Sequence, residues 1–266
     1  MTAPEIDAIL QAVADSKRYR HVAPTLVARL AAEELPKSKN AADAEKRTKR
    51  RLHQIFGAYA TQLPYDRLLA RLDNTQGDPD VFKKVCAQIL TQHASTNERL
   101  NDLEHGFYER IFELTGRPAK VLDLACGFNP LTIPWMNLAP SAFYVAADID
   151  AEMVRFLDRF LALAPVHGEA RLVDLVHLTP STSADVAFLF KTLPCLRHQT
   201  DDLLRILDAI QAPWLAITFP TKSLGNRSKG MRETYRAMTG ELLKHRPDWE
   251  PHELEFPSEL VYVIRK

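Results

Sequence analysis

The chain has 266 residues, 46% of them hydrophobic, and its 34 Lys/Arg are balanced by 34 Asp/Glu. That is enough to bury a sizeable core in about one or two domains, and zero formal charge argues against a generic polyanion binder. The sequence contains no window near the roughly 18 apolar residues a membrane span needs, and MTAPEIDAILQAVADSKRYR lacks the basic head and apolar core of an export signal.

Residues 1 to about 105 read as helical, because apolar positions such as Ile6, Ile9, Leu10 and Val13, then Val22, Leu26 and Leu30, recur at three- and four-residue spacing. From Pro36 to His53 seven Lys/Arg face two acids. Within that run AADAEKRTKRRLHQIFGAY places Leu52, Ile55 and Phe56 beside a basic helical face. DNTQGDPD, from Asp73 to Asp80, is a loop by its Asn, Gly and Pro content, and a helix is predicted from Val81 to about His93. STNERL offers Ser95 or Thr96 as the N-cap of a further helix running to about Leu114.

After Gly116 the pattern becomes short apolar runs separated by helix-length segments. The runs are KVLDLA (120 to 125), FYVAAD (143 to 148), ARLVDL (170 to 175), DVAFLF (185 to 190) and WLAITF (214 to 219). Strands alternating with amphipathic stretches such as AEMVRFLDRFLALA imply a parallel sheet covered by helices on both faces. ELEF and LVYVIRK are predicted as two last strands, paired antiparallel because PSE between them is too short for a crossover helix. A second basic window, Phe219 to Arg246, again sets seven Lys/Arg against two acids. Cys86, Cys126 and Cys195 are an odd number without C-x-x-C spacing. Neither a disulfide framework nor a zinc site is indicated, no metal is expected, and a cytoplasmic location fits best.

Ligands of open parallel sheets sit beyond the C-terminal strand ends, and DLACGFNP lies at such an end. Gly127 would let the backbone approach a ligand, and Asp123 and the loop amides could meet its polar groups. Asp148 closes the next strand 25 residues after Asp123, about where an acid meets a ribose diol. Asp174 closes the third, where a carboxylate could accept an adenine amino group. G-x-G-x-x-G is absent, which argues against a dinucleotide pyrophosphate. An adenosine-bearing cofactor without phosphate, S-adenosyl-L-methionine, fits better.

KRTKRRLHQIFGAY, HASTNERL, VLDLACGFNPLTIPWM, YVAADID, KTLPCL, ITFPTKSLGNRSKGM and ELVYVIRK together closely resemble the aminoglycoside-resistance 16S rRNA (guanine(1405)-N7)-methyltransferases of the Arm/Rmt type. The resemblance implies a Rossmann-like class I S-adenosylmethionine-dependent methyltransferase domain with a seven-stranded sheet over residues 106–266. It also implies an all-helical N-terminal domain, residues 1–105, that docks on 16S rRNA within the 30S subunit. It places Arg99 on the methionine carboxylate of the cofactor, Asp123 and Gly127 in the first loop, Asp148 on the ribose, and Asp174 with Leu175 at the adenine. Lys191, Arg227 and Met231 would act at the target base. Lys46, Arg47, Lys49, Arg50 and Arg51, with Lys222, Arg227 and Lys229, would contact rRNA. A monomer with neither membrane nor DNA partners is expected. Two other readings are a methyltransferase of the same fold acting on a small molecule, and a non-enzymatic RNA-binding protein with a decayed cofactor site.

Overall fold

The computed structural model describes residues 3–56, 63–75, 77–177, 181–221 and 230–266. The chain opens with α1 (Ala3–Ala14), α2 (Pro24–Glu34) and α3 (Ala41–Phe56). Ile9, Val13, Leu26, Leu30, Leu52 and Ile55 are buried against one another, so these three helices share an apolar cluster of their own. Pro24 starts α2 where a missing N–H costs nothing. The layer is tied to the sheet by backbone bonds from Ala23 N–H to the Ile149 carbonyl (2.8 Å) and from Ala151 N–H to the His21 carbonyl (2.7 Å).

Next come α4 (Tyr65–Asp73) and α5 (Pro79–Leu90). The Asp78 carboxylate caps α5 by accepting from the Asp80 and Val81 amides, with Pro79 in the first turn. The single helix predicted from Ser95 or Thr96 to Leu114 is instead three pieces, α6 (Ala94–Asn97), α7 (Leu100–Glu104) and α8 (Phe107–Thr115). Gly106 breaks it by adopting φ 80°, which a side-chain-bearing residue rarely takes. Thr96 does not cap: its hydroxyl donates back to the Leu90 and His93 carbonyls at 3.0 and 3.1 Å.

The sheet is built from β1 (Lys120–Leu124), β2 (Phe143–Asp148), β3 (His167–Leu172), β4 (Val186–Phe190), β5 (Trp214–Pro220), β6 (Glu250–Glu255) and β7 (Glu259–Arg265). Between strands lie α9 (Ile133–Met136), α10 (Ala151–Leu161), α11 (Leu193–Arg197), α12 (Leu203–Ala209) and α13 (Met231–Lys244). The order β3-β2-β1-β4-β5-β7-β6 is the doubly wound arrangement with a C-terminal hairpin. Its first five strands are parallel, and β7 runs antiparallel to both β5 and β6, as the short PSE link required. This is the Rossmann-like seven-stranded sheet that the resemblance implied.

Alternation along the strands feeds two apolar layers. Val121, Tyr144, Phe188 and Val261 face one layer with α5, α8 and α10, while Leu122, Val145, Leu189, Ile217 and Tyr262 face the other with α11 and α12. The third strand departs from expectation. It spans 167–172 and not 170–175, because β2, its one neighbour, ends at Asp148, which pairs with Leu172. Asp174 therefore stands in the loop beyond the sheet.

Candidate active site

A cleft of about 1150 Å³, open to solvent, lies at the C-terminal ends of β1, β2 and β4. Arg99, Gly127, Asp148, Asp174, Leu175 and Lys191 line it together. The chain makes room by turning sharply after β1: Ala125 and Gly127 both take left-handed backbone, φ 51° and 50°. A Cβ at Gly127 would also sit 3.4 Å from the His93 ring. The prolines that follow serve the turn, Pro130 in a 3₁₀ segment and Pro134 near the start of α9.

Gly127 has a second use. Its N–H donates to Asp148 Oδ2 at 2.9 Å, while Asp148 Oδ1 accepts from the Ile149 amide at 2.7 Å. Burial pushes the Asp148 carboxyl up to about 6, against the pull of these amides. Asp174 is held by Arg29 of α2, whose Nε and Nη2 lie 3.2 and 3.4 Å from its two oxygens. Neither Arg29 nor its reach across 145 positions of sequence was legible beforehand.

At the other end of the cleft is a buried charge cluster. Arg99, 2% exposed, donates from Nε and Nη2 to the two oxygens of Glu259 at 2.7 and 2.9 Å, and from Nη1 to Asn129 Oδ1. Its guanidinium lies 4.5 Å from the Phe190 ring centre and 5.0 Å from that of Phe107. Lys191 follows β4 with φ 57°, and its Nζ is 2.9 Å from Glu98 and 3.4 Å from Glu259. Burial alone would raise the Glu259 carboxyl, but Arg99 and Lys191 hold it below the usual carboxylate range. His93, also in the wall, is driven down to about 4 by burial and then by Lys191, so its ring is neutral at pH 7. Sequence reasoning missed Glu98, Glu259 and His93. Glu98 adjoins Arg99 in the NERL motif, and the SELVYV run carries Glu259 in an otherwise apolar strand.

Asp123 is not in the wall. It lies beneath, where Oδ2 accepts from the Tyr144 hydroxyl (2.6 Å) and Asn129 Nδ2 (3.0 Å). Oδ1 has no hydrogen-bond partner among the described residues. Burial pushes this carboxyl up to about 7. The folded chain thus keeps a proton that the unfolded chain releases near pH 4, so the stability from this group is present below pH 4 and lost as pH rises through 7. Asp123→Asn is expected to remove that loss, roughly 4 kcal/mol at most. Urea unfolding at pH 5 and pH 8 checks it, and an equal pH 5 to pH 8 loss in both proteins would contradict it.

The basic face of α3 is divided. Lys46 and Arg50 are exposed, whereas Arg47 pairs with Glu34 (2.8 Å), Lys49 with Glu45 (2.6 Å) and Arg51 with Glu33 (3.8 Å). Arg51 also donates to the His198 carbonyl at 3.1 Å. Met231 opens α13. Lys222, Arg227 and Lys229 lie outside the described residues. Among the described residues no group of three or more His, Cys, Asp or Glu could hold a metal, and no helix is long and apolar enough to cross a membrane.

The buried carboxylates and apolar walls of the cleft fit an adenosine-bearing cofactor. Residues 15–263 match the model of a family described as ribosomal RNA methyltransferase (FmrO). A 16S rRNA (guanine(1405)-N(7))-methyltransferase of Micromonospora echinospora is 41% identical over 100% of this chain and 99% of that protein. One from Serratia marcescens is 33% identical over 98% of both. Among solved structures, the 16S rRNA methyltransferase RmtF in complex with S-adenosyl-L-homocysteine has a TM-score of 0.84 at 32% identity, covering 100% of each chain. The 16S rRNA methylase RmtB has a TM-score of 0.80 at 29% identity, covering 98% of each. With residues 15–263 of the chain matched by the family model, and relatives this similar from end to end, the chain belongs to the FmrO family of ribosomal RNA methyltransferases.

Proposed function

We propose that this chain transfers a methyl group from S-adenosyl-L-methionine to N7 of guanine 1405 of 16S rRNA, within the assembled 30S subunit. The observation that supports this most is one cleft uniting Asp148, Asp174, Arg99 and Lys191, set beside a helical layer that presents Lys46 and Arg50 outward.

The cofactor, when bound, supplies an electrophilic methyl on a sulfonium. Asp148 holds the ribose hydroxyls, and Asp174 with Leu175 the adenine. Arg99 already shares its fork with Glu259, so it meets the methionine carboxylate through the N–H groups that Glu259 and Asn129 leave over. Asp123 supports the floor through Asn129. Guanine N7 carries a free lone pair and is unprotonated at neutral pH, so the chain needs no general base. Its task is alignment, with reacting atoms roughly 3 to 3.5 Å apart. Lys191 stands at the end of β4, where it can donate to the O6 and N7 acceptors that distinguish guanine from adenine. Arg227 and Met231 complete the grip on a base flipped out of its helix. A methyl group and a fixed positive charge at N7 then oppose cationic drugs such as kanamycin and gentamicin.

In this reading residues 1–105 dock and residues 106–266 catalyse, although His93 and Arg99 of the first part reach the cleft. Lys46 and Arg50, with Arg47, Lys49 and Arg51 behind them, and together with Lys222 and Lys229, make the phosphate contacts that position the enzyme. The chain works as a monomer. Reversing both Lys46 and Arg50 to Glu is expected to weaken 30S binding at least tenfold and flatten its dependence on salt. Lys191→Ala is expected to leave 30S affinity intact and slow single-turnover methylation by about 100-fold or more. Competition binding and single-turnover assays on the same preparations check both. Unchanged 30S affinity in the charge reversal, or a Lys191→Ala defect confined to docking, would refute this division.

A further inference from the structure

Arg29 belongs to α2 of the N-terminal layer, yet its guanidinium lies against the cofactor cleft with its side chain 15% exposed. Nε donates to Asp174 Oδ2, Nη2 to Asp174 Oδ1 and to Gln199 Oε1 (2.9 Å), and Nη1 to Glu33 Oε1 (3.3 Å). Asp174 and Gln199 are both wall residues. Asp174 Oδ1 accepts a further bond from the Val176 amide at 3.1 Å, whereas Arg29 Nε is the one donor to Oδ2 among the described residues. The carboxylate is therefore fixed in orientation while Oδ2 keeps room for a second donor. Two neighbouring contacts join the same layer to this end of the cleft: Ile55 of α3 lines it, and Arg51 bonds the carbonyl of His198, next to Gln199.

We infer that Arg29 is a positioning residue for base recognition in the cofactor: its fork presents Asp174 Oδ2 to the exocyclic amino group of adenine, so the N-terminal helices complete the adenosine site. This rests on the assignment of Asp174 to adenine proposed above. An amine donor meets a carboxylate acceptor there, and a 6-oxo purine would set oxygen against oxygen. The site should therefore prefer an adenosyl over an inosyl ligand.

The test is calorimetric titration of the full chain with S-adenosylhomocysteine and with S-inosylhomocysteine, for the wild type, Arg29→Ala, Arg29→Lys and Asp174→Ala. Arg29→Ala is expected to weaken the adenosyl ligand about tenfold and leave the inosyl ligand nearly unchanged, shrinking the preference by that factor. Arg29→Lys, which supplies a charge but no fork, should recover part of it. Loss of affinity for both ligands in equal proportion, or for neither, would overturn the inference. Should Arg29→Ala not fold, an Arg29→Lys variant with the full wild-type preference would do the same. Asp174→Ala separates the two layers of argument. If it leaves the preference intact, the adenine assignment itself fails. If it erases the preference while Arg29→Ala does not, the Arg29 inference alone fails.

Discussion

Glu259→Ala is expected to destabilise the protein by about 3–5 kcal/mol, because it strands the buried Arg99 guanidinium and leaves Lys191 with Glu98 as its remaining carboxylate partner among the described residues. Arg99 and Lys191 have relative exposures of 2% and 8%, and Glu259 of 0%, so water cannot replace the missing carboxylate. The damage should extend to function, since both cations line the cleft. Glu259→Gln keeps the shape and loses the charge, and should fall between wild type and alanine. Urea unfolding of the three proteins measures this. An Arg99→Met/Glu259→Leu double variant should be less destabilised than Glu259→Ala, since it removes the uncompensated guanidinium together with its partner. A Glu259→Ala cost below about 1 kcal/mol would mean that the cluster is not what holds β7 to the loop before α7.

Asp148→Ala should weaken S-adenosylhomocysteine binding by roughly 10- to 100-fold, the value of a lost charge-assisted contact of 1.5–3 kcal/mol. The pH dependence gives the sharper form. Burial holds the Asp148 carboxyl up to about 6; below that pH it is protonated and a poorer acceptor for ribose hydroxyls, so wild-type affinity should fall as pH drops from 7.5 to 5. Asp148→Asn cannot titrate and should show a flatter profile over that range. Calorimetry at both pH values reads the difference, and the same decline in both proteins would place the titrating group elsewhere.

Strands β1, β2, β4 and β5 were legible because each is an apolar run of strand length buried on both faces, whereas the edge strand β3, HGEARL, has no buried residue and was placed three residues late. The acids and glycine at the strand ends were legible because such sheets bind ligands there. Lys191 could be placed at the edge of the cleft for the same reason. The partners of these residues could not be read from the sequence. Arg29 meets Asp174 across 145 positions and Arg99 meets Glu259 across 160, and no local periodicity encodes such pairs. Asp123 was expected at the ligand because it lies near the C-terminal end of β1, but alternation turns it toward Tyr144 and Asn129 under the floor. The break between α7 and α8 was missed because Gly106 within a helical pattern is compatible with either a weak helix or a turn. The five basic residues of α3 looked equivalent in sequence; packing against α2 pairs Arg47 and Arg51 with Glu34 and Glu33 and leaves Lys46 and Arg50 outward.

The most direct measurement incubates the purified chain with labelled S-adenosyl-L-methionine and either 30S subunits or protein-free 16S rRNA, then maps N7-methylguanine by borohydride and aniline strand cleavage. The expected result is cleavage at guanine 1405 alone, strong from 30S and weak from free RNA, and lost with Lys191→Ala. Label on another base or atom, or equal modification of the protein-free RNA, would contradict the proposed activity on the assembled subunit.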